Sequence, residues 1–215
     1  IEKPLSTYRA NLNGTMNVVE YCLEARVDVC VIATTDKVYD VRTMEERPFA
    51  EGDNLWGHDP YSGSKVAVEQ FCHSMKDLLN DSNLNLKIVR AGSVIGGGDF
   101  GYGRLVPYLY QCFFRGDRPI IRNPESTRPW QFVVDVVKGY LLVGISGLRC
   151  RKGVQFQSEA FNICRPSLRN TSVSDIHYAI FGNRGSFDRA QPLALEETKK
   201  LDIEDSKIRR ELKYR

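Results

Sequence analysis

The sequence has no long apolar run and no large excess of one charge, and each absence excludes a class of partner. No apolar run approaches the roughly 18 residues that a membrane-spanning helix needs. The 30 basic and 27 acidic residues leave a net charge of only +3, and the lysines and arginines are dispersed along the chain. A basic patch that could bind a nucleic-acid backbone or an anionic membrane is therefore not expected.

Closely spaced cysteines are also absent. The six cysteines are widely separated and contain no C-x-x-C pair, which is typical of neither a zinc site nor a disulfide framework. The histidines His58, His73 and His177 lack metal-ligand spacing as well. We predict no metal site and interpret the cysteines as reduced, mostly buried thiols of a cytoplasmic protein.

What the sequence does contain is the composition of a globular protein. Its 215 residues are 42% hydrophobic and 27% charged, which indicates one large or two small domains. The chain opens at Ile1 rather than Met and enters an apparent helix within ten residues. We therefore expect it to be an internal segment of a longer gene product.

Helical and strand-like segments alternate along the chain. Residues 5–24 have helical periodicity, and residues 27–33 and 86–91 are short apolar runs typical of buried parallel strands. Between them, Asp59 and Pro60 begin a predicted helix that runs to about Leu79. This alternation predicts an α/β fold with a parallel sheet and right-handed crossovers. Later helices are predicted at residues 104–114, 133–145, 173–180 and 205–212, and later strands at 119–121, 160–163 and 194–201.

The first predicted strand ends in a polar tetrad. Thr34, Thr35, Asp36 and Lys37 follow it directly, and ligands of parallel sheets bind at the carboxyl ends of strands. The tetrad is therefore a candidate site. Taken alone, such a tetrad is more often a loop cap than a site, and an isolated Asp-Lys pair is typical of a surface ion pair.

A tyrosine and a lysine open the next predicted helix. Tyr61 and Lys65 are four residues apart and share one helix face. The ammonium can stabilise the phenolate there and lower the tyrosine pKa from about 10 toward physiological pH. We predict that such a tyrosine acts as a base, although a Y-x-x-x-K match alone also arises by chance.

The joint order of these features resembles the extended short-chain dehydrogenase/reductase superfamily, in its nucleotide-sugar epimerase and dehydratase branch. Within that branch it is most similar to the CDP-glucose 4,6-dehydratases, because Lys37 stands where dTDP-glucose dehydratases carry Glu. The resemblance spans nearly the whole chain. It is carried by residues 35–39 (TDKVY), 57–65 (GHDPYSGSK), 90–99 (RAGSVIGGGD) and 121–131 (IRNPESTRPWQ).

The resemblance implies an NAD-dependent internal redox dehydration that converts CDP-glucose to CDP-4-keto-6-deoxyglucose. Tyr61 would remove the proton of the sugar 4-hydroxyl while NAD accepts a hydride from carbon 4, and Thr35 would bond to the 4-oxygen. Lys65 would hold the nicotinamide ribose and tune Tyr61. Asp36 would protonate the departing 6-hydroxyl, and Lys37 would assist removal of the carbon 5 proton.

The resemblance also places substrate contacts. Ser93, Arg104 and Arg128 would bind the nucleotide sugar, and a guanidinium such as that of Arg128 matches phosphate oxygens bidentately. The alternative for Arg128 is a solvated loop arginine. Ser93 stands where relatives usually have Asn, which leaves substrate identity open. Asn11 matches the structural asparagine of the family.

The family's fold is expected here only in part. Residues 1–95 and 125–150 would form part of a doubly wound, Rossmann-type NAD domain with the catalytic residues, and residues 96–124 and 151–215 a small α/β substrate-binding lobe. The first strands and the glycine fingerprint, roughly ninety residues, are expected to precede Ile1. The G-x-G-x-x-G match at residues 96–101 is rejected as that fingerprint, because by resemblance it follows the sixth strand; its glycines are expected to allow tight turns beside the sugar site.

Two further expectations concern assembly and alternatives. Relatives commonly pair through two long helices, which here include residues 11–24 and 61–79, so we expect a homodimer with a four-helix interface. The competing hypotheses are another nucleotide-sugar epimerase, dehydratase or decarboxylase, and a non-catalytic remnant that acts as an interaction module. A stand-alone remnant would expose a sheet edge and an apolar face, so we expect it to aggregate or to pair with a partner that covers them. Upstream sequence in the same frame with a glycine-rich strand-to-helix turn would favour the enzyme, and a genuine start at Ile1 would favour the remnant.

Overall fold

A computed structural model describes residues 3–43, 47–75, 79, 82–149, 159–164, 171–190 and 200–215. None of its described helices is both long and apolar enough to cross a membrane. The helices are α1 (Pro4–Tyr8), α2 (Gly14–Glu24), α3 (Pro60–Ser74), α4 (Leu105–Arg115), α5 (Val133–Arg149), α6 (Val173–Phe181) and α7 (Ser206–Leu212). The strands are β1 (Val29–Ala33), β2 (Asn85–Ala91), β3 (Val94–Ile95), β4 (Ile120–Ile121), β5 (Thr127–Arg128), β6 (Gln131–Phe132), β7 (Glu159–Ile163), β8 (Thr171–Ser172) and β9 (Asp188–Arg189).

The centre of the molecule is a three-stranded parallel sheet in the order β1-β2-β7. Strand β2 is buried along its whole length, as expected for a central parallel strand. Its alternating side chains enter two different cores, so that Ile88 packs with the residues of α2 and α3 while Val89 packs with those of α5 and α7. Helices thus cover both faces, and the predicted doubly wound α/β fold is confirmed.

The third strand corrects the predicted division of the chain. Glu159–Ile163 was expected in the substrate-binding lobe, but Val89 of β2 pairs with Phe161 of β7 in the central sheet. Ile208 of α7 and Tyr214 also pack into the sheet core. Assigning all of residues 151–215 to the lobe was therefore wrong. The pairing joins segments about seventy positions apart in sequence, and no local pattern encodes such a contact.

The remaining short strands form the lobe beside the sheet. They pair as β3 with β6, β4 with β9 and β5 with β8. The lobe helices α4 and α6 meet through an edge-to-face contact of Phe113 and Phe181, whose ring centroids lie 5.5 Å apart. Residues 194–199 of the last predicted strand lie outside the described residues, while Lys200 bridges to Thr127.

The helices begin within one residue of their predicted starts, but α3 ends at Ser74 rather than near Leu79, α5 runs on to Arg149, and the first predicted helix is interrupted. Between α1 and α2, residues Arg9–Asn13 form a π-helical turn that holds Asn11. Such turns are rare and concentrate at functional sites. The Asn11 side-chain amide donates to Ser64 Oγ on α3 at 2.8 Å, which ties the first helical segment to the helix that carries Tyr61.

The described cysteines agree with the expectation of free thiols. Cys22, Cys30, Cys72, Cys112 and Cys164 are all unbridged and buried, whereas Cys150 lies outside the described residues. Burial raises the pKa of the Cys30 thiol to about 12, with the neighbouring Cys22 adding to the effect. Such thiols are poor nucleophiles because the thiolate is the reactive form.

Candidate active site

The polar tetrad lies at the carboxyl end of β1, as predicted. Thr34, Thr35 and Asp36 are buried, while Lys37 is exposed. Thr35 caps the short 3-10 helix Asp36–Val38 by accepting a hydrogen bond from the Lys37 amide at 3.3 Å. Its hydroxyl donates to Asp36 Oδ1 at 3.1 Å. The first three residues of the tetrad are therefore buried, and a buried Asp36 is unusual for a surface ion pair.

Helix α3 begins at Pro60, and Asp59 before it is the N-cap. The Asp59 side chain accepts hydrogen bonds from the amides of Tyr61 and Ser62, and Ser62 Oγ accepts one from the Asp59 amide at 3.0 Å. This reciprocal pair is a capping box. A Cβ on Gly57 would lie 2.2 Å from the Gly63 Cα, so the loop before the helix packs directly on its first turn.

Tyr61 and Lys65 are placed near β1, but not as the spacing suggested. The Lys65 ammonium donates to the Ala33 carbonyl oxygen at 3.0 Å. The pKa of Tyr61 is raised, chiefly by burial, against a hydrogen bond with Thr35 and the positive charge of Arg104, which both lower it. The expected lowering of the Tyr61 pKa by Lys65 is therefore wrong for this arrangement, because the cost of burying a phenolate is the larger effect.

Asp36 has the most unusual electrostatic environment of the site. Complete burial raises its pKa from 3.8 to about 6, against the lowering effects of the Thr35 hydrogen bond and of the charges on Lys37 and Arg128. Its Oδ2 atom has no hydrogen-bond partner among the described residues. A buried carboxyl group with a free oxygen and this pKa can give up or take a proton near neutral pH.

Two cavities with shared walls bring the predicted residues together. The first, of about 1080 Å³, is lined by Thr35, Asp36, Tyr61, Lys37, Ser93 and Arg104. The second, of about 830 Å³, shares Lys37, Ser93 and Arg104 with the first and adds Arg128. Of the sequence-predicted site residues, only Lys65 lines neither cavity.

Glycines allow the close packing around these cavities. A Cβ on Gly92 would lie 2.4 Å from the Pro129 Cγ and 3.2 Å from Asp36 Oδ2, so no larger residue fits there. The loop at residues 96–101 follows β3 and lines the larger cavity, and Gly98 adopts a left-handed φ of 81°. Arg104 at its end pairs with Asp99 at 3.2 Å. This placement beside the cavity is the one expected when the loop was rejected as the dinucleotide fingerprint.

Sequence analysis missed a buried ion pair that borders the site. The Glu69 carboxylate on α3 accepts from the Arg90 guanidinium of β2 and from Thr34 Oγ1, the latter at 2.6 Å. Glu69 lies one helical turn after Lys65 and two after Tyr61, and this same-face spacing was the signal that could have found it.

A metal site is not indicated by the described part of the chain. No three His, Cys, Asp or Glu side chains among those residues are grouped so that they could hold an ion. The buried His177 instead stacks on Phe181 with ring centroids 4.6 Å apart.

Comparison with known proteins agrees with this geometry. Residues 1–163 match the family described as the NAD dependent epimerase/dehydratase family. CDP-glucose 4,6-dehydratase of Salmonella typhimurium is 37% identical over 149 residues, which are 66% of this chain and 41% of that protein. UDP-glucose 4-epimerase 2 of Oryza sativa is 25% identical over 159 residues, covering 66% of this chain and 38% of that protein. The chain thus spans less than half the length of these relatives.

Solved structures show the same fold at low identity. UDP-glucose 4-epimerase of Thermotoga maritima superposes with a TM-score of 0.82 at 20% identity, covering 100% of this chain and 66% of that one. The dTDP-glucose 4,6-dehydratase DesIV of Streptomyces venezuelae, solved with NAD bound, superposes with a TM-score of 0.76 at 20% identity. The match covers 97% of this chain and 61% of that one. From the match over residues 1–163, this chain belongs to the NAD dependent epimerase/dehydratase family.

Proposed function

We propose that the protein containing this chain catalyses the NAD-dependent 4,6-dehydration of a nucleotide-diphosphate hexose, with CDP-glucose as substrate. The observation that carries the proposal is the shared cavity of Tyr61, Thr35, Asp36 and Lys37. The 37% identity to a CDP-glucose 4,6-dehydratase supports the choice of sugar nucleotide.

The residues present fit a nicotinamide cofactor. The larger cavity lies at the carboxyl end of β1 and offers the hydroxyl groups of Thr35 and Tyr61, which suit a ribose. We assign Tyr61, which lines this cavity, and Lys65 to hold the nicotinamide ribose. Lys65 lines neither cavity, but its ammonium lies on the Ala33 carbonyl, one residue before Thr34 of the cavity wall. When bound, NAD would accept the hydride from carbon 4 and return it to carbon 6 after water has left, so that the reaction consumes no external oxidant or reductant.

The redox half of the reaction falls to Tyr61 and Thr35. Tyr61 takes the proton of the sugar 4-hydroxyl, and Thr35 bonds to the 4-oxygen while sharing a hydrogen bond with the phenol. Arg104 favours the phenolate through its positive charge. A tyrosine whose pKa is raised in the free protein requires such partners to act as a base near neutral pH.

The elimination half requires an acid and a base on neighbouring residues. Asp36, with a pKa of about 6 and an unpartnered buried oxygen, can keep a proton for the departing 6-hydroxyl. We assign Lys37, which lines both cavities, to assist removal of the carbon 5 proton. We assign Ser93, Arg104 and Arg128 to the substrate, with the arginines on its diphosphate.

A second candidate function is nucleotide-sugar 4-epimerisation. It is favoured by the relatives that are named UDP-glucose 4-epimerases. Epimerisation needs the Tyr61 and Thr35 chemistry but no acid for a leaving hydroxyl. The protonatable, buried Asp36 beside Tyr61 therefore favours dehydration over epimerisation.

The test is to incubate the full-length gene product with CDP-glucose, dTDP-glucose or UDP-glucose and to follow the alkaline chromophore of the 4-keto product. We expect the chromophore to form with CDP-glucose. In Tyr61→Phe, we expect the rate of its formation to fall by at least about 100-fold. Tyr178→Phe is the matched control, because Tyr178 is 60% exposed on α6 outside both cavities.

Three outcomes would contradict the proposal. No chromophore with any of the sugars would remove the dehydratase assignment, and formation of an epimer from UDP-glucose would replace it with the second candidate. Full activity in Tyr61→Phe would remove the proposed base.

A further inference from the structure

A network of buried polar side chains connects the site to all three strands of the sheet. Glu69 of α3 and Arg90 of β2 are 0% and 2% exposed. The Arg90 Nε donates to Glu69 Oε1 at 3.0 Å and its Nη1 to Tyr39 Oη at 2.9 Å. Tyr39 Oη in turn donates to Asn162 Oδ1 of β7 at 2.7 Å.

The end of this network that matters for the site is Thr34. Its hydroxyl donates to Glu69 Oε1 at 2.6 Å, and its amide donates to the Val89 carbonyl oxygen at 2.8 Å. Thr34 immediately precedes Thr35, whose hydroxyl bonds to Asp36. One buried carboxylate therefore joins the loop that carries Thr35 and Asp36 to the helix that carries Tyr61.

A role in stability alone does not account for this pair. Well-packed apolar residues commonly replace a buried ion pair without loss of stability. Compared with apolar residues, the ion pair also orients its members, because a bidentate guanidinium fixes the orientation of the carboxylate that it binds. Because Arg90 binds the Glu69 carboxylate, Glu69 Oε1 is held where it accepts the hydrogen bond from the Thr34 hydroxyl.

We propose that Glu69, oriented by Arg90, is a positioning residue that sets the placement of Thr35 and Asp36 relative to Tyr61 through the hydroxyl of Thr34. This inference rests on the proposed function for its catalytic consequence. A small misplacement of the reacting groups lowers kcat. The contacts that other residues make with the substrate are unaffected, so KM should change little.

The decisive variants are Thr34→Val and Thr34→Ser in the full-length protein. Val keeps the shape of Thr34 and removes the hydroxyl, and Ser keeps the hydroxyl. We expect Thr34→Val to lower kcat by about tenfold with KM nearly unchanged, and Thr34→Ser to restore kcat. Glu69→Gln should lower kcat at least as much. Because this substitution leaves Arg90 without its countercharge, the variant protein can fail to fold.

Lys87→Met is the matched control for loss of an ion pair. Lys87 lies on the same strand as Arg90 and pairs with Glu159 of β7 at 2.8 Å, and it lines neither site cavity. We expect it to lower Tm without changing kcat or KM. An equal fall of kcat in Lys87→Met and Thr34→Val would mean that the network is only structural and would overturn the inference.

A second readout does not depend on turnover. Because the hydrogen bond with Thr35 lowers the pKa of Tyr61, misplacement of Thr35 should raise that pKa in Thr34→Val. The pKa is followed by NMR of ¹³C-labelled tyrosine, with the Tyr61 signal identified by its loss in Tyr61→Phe. An unchanged Tyr61 pKa in Thr34→Val would overturn the inference even if the protein acts on none of the tested sugars, whereas that lack of activity would defeat only the proposed function.

Discussion

At the scale of single residues, Asp36 shows how one buried carboxyl can couple stability to chemistry. Burial disfavours its ionised form and raises its pKa to about 6. In an unfolded chain the same group ionises near 3.8. The folded state therefore binds this proton more tightly than the unfolded state, so the contribution of Asp36 to stability is present below about pH 4 and is lost as the pH rises through 6.

Asp36→Asn should consequently stabilise the protein at alkaline pH while reducing dehydration. The neutral amide removes a cost on the order of 3 kcal/mol that the ionised carboxylate imposes above pH 7. The gain should shrink as the pH falls and vanish below about pH 3, where Asp36 is protonated in both the folded and the unfolded state. Urea denaturation at several pH values, together with the 4-keto assay, measures both effects.

Asp53 provides a control of opposite sign. Its pKa is lowered by hydrogen bonds from Arg47, so its ionised form stabilises the fold. Asp53→Asn should lower stability at neutral pH and leave the 4-keto assay unchanged. If Asp36→Asn instead destabilised the protein at pH 8 to the same extent, the raised pKa of Asp36 would be refuted.

The residues of the site were largely predictable, but their ionisation was not. Thr35, Asp36, Lys37 and Tyr61 were identified from sequence order, and the structure brings them to one cavity. Lys65 was expected to lower the Tyr61 pKa, and the structure places its ammonium on Ala33 instead. A pKa depends on burial and on neighbours in space, and neither is contained in a four-residue spacing.

At the scale of elements, the beginning of α3 fixes where Tyr61 stands. Asp59, Pro60 and Ser62 form the cap and place Tyr61 at the second helical position. Asp59 and Pro60 are local sequence signals, so this start was predicted correctly, whereas the part played by Ser62 became visible only in the structure. The interruption of the first helix at Arg9–Asn13 was not, because the π-helical turn is stabilised by a bond from Asn11 to another helix.

We expect Asp59→Ala to lower the free energy of unfolding by about 1 kcal/mol, the usual value of an N-cap. It should also lower kcat, because Tyr61 loses the cap that holds its amide at 2.7 Å. Ser172→Ala removes an equivalent capping box from α6, and it should cost similar stability without changing kcat. Thermal unfolding and the 4-keto assay compare the two variants, and an equal effect on kcat would contradict a positioning role of the cap.

At the scale of the whole molecule, apolar side chains remain exposed on the first helices. Val18 and Tyr21 lie three residues apart on one face of α2 and are 49% and 67% exposed. Contiguous exposed apolar surface often marks an interface. These residues lie on one of the two helices through which we propose that the protein forms a homodimer.

Tyr21→Arg should then shift the full-length protein from dimer to monomer, because a charge at the centre of an apolar interface is left without a partner. Tyr178→Arg introduces the same charge at an exposed position of α6 and should leave the dimer intact. Light scattering coupled to size exclusion measures both masses. A dimer that persists in Tyr21→Arg would exclude α2 from the interface.

The sequence by itself determined the identity and order of the chemical groups: the tetrad after the first strand, the capped helix with Tyr61 and Lys65, and the glycine-rich loop before Arg104. Each depends on contacts within a few residues, which local pattern encodes. Only the tertiary structure decided that β7 completes the sheet, that Glu69 and Arg90 are paired beneath the site, and that Asp36 holds its proton to about pH 6. These features arise from burial and from contacts between distant segments, and both exist only once the chain has folded.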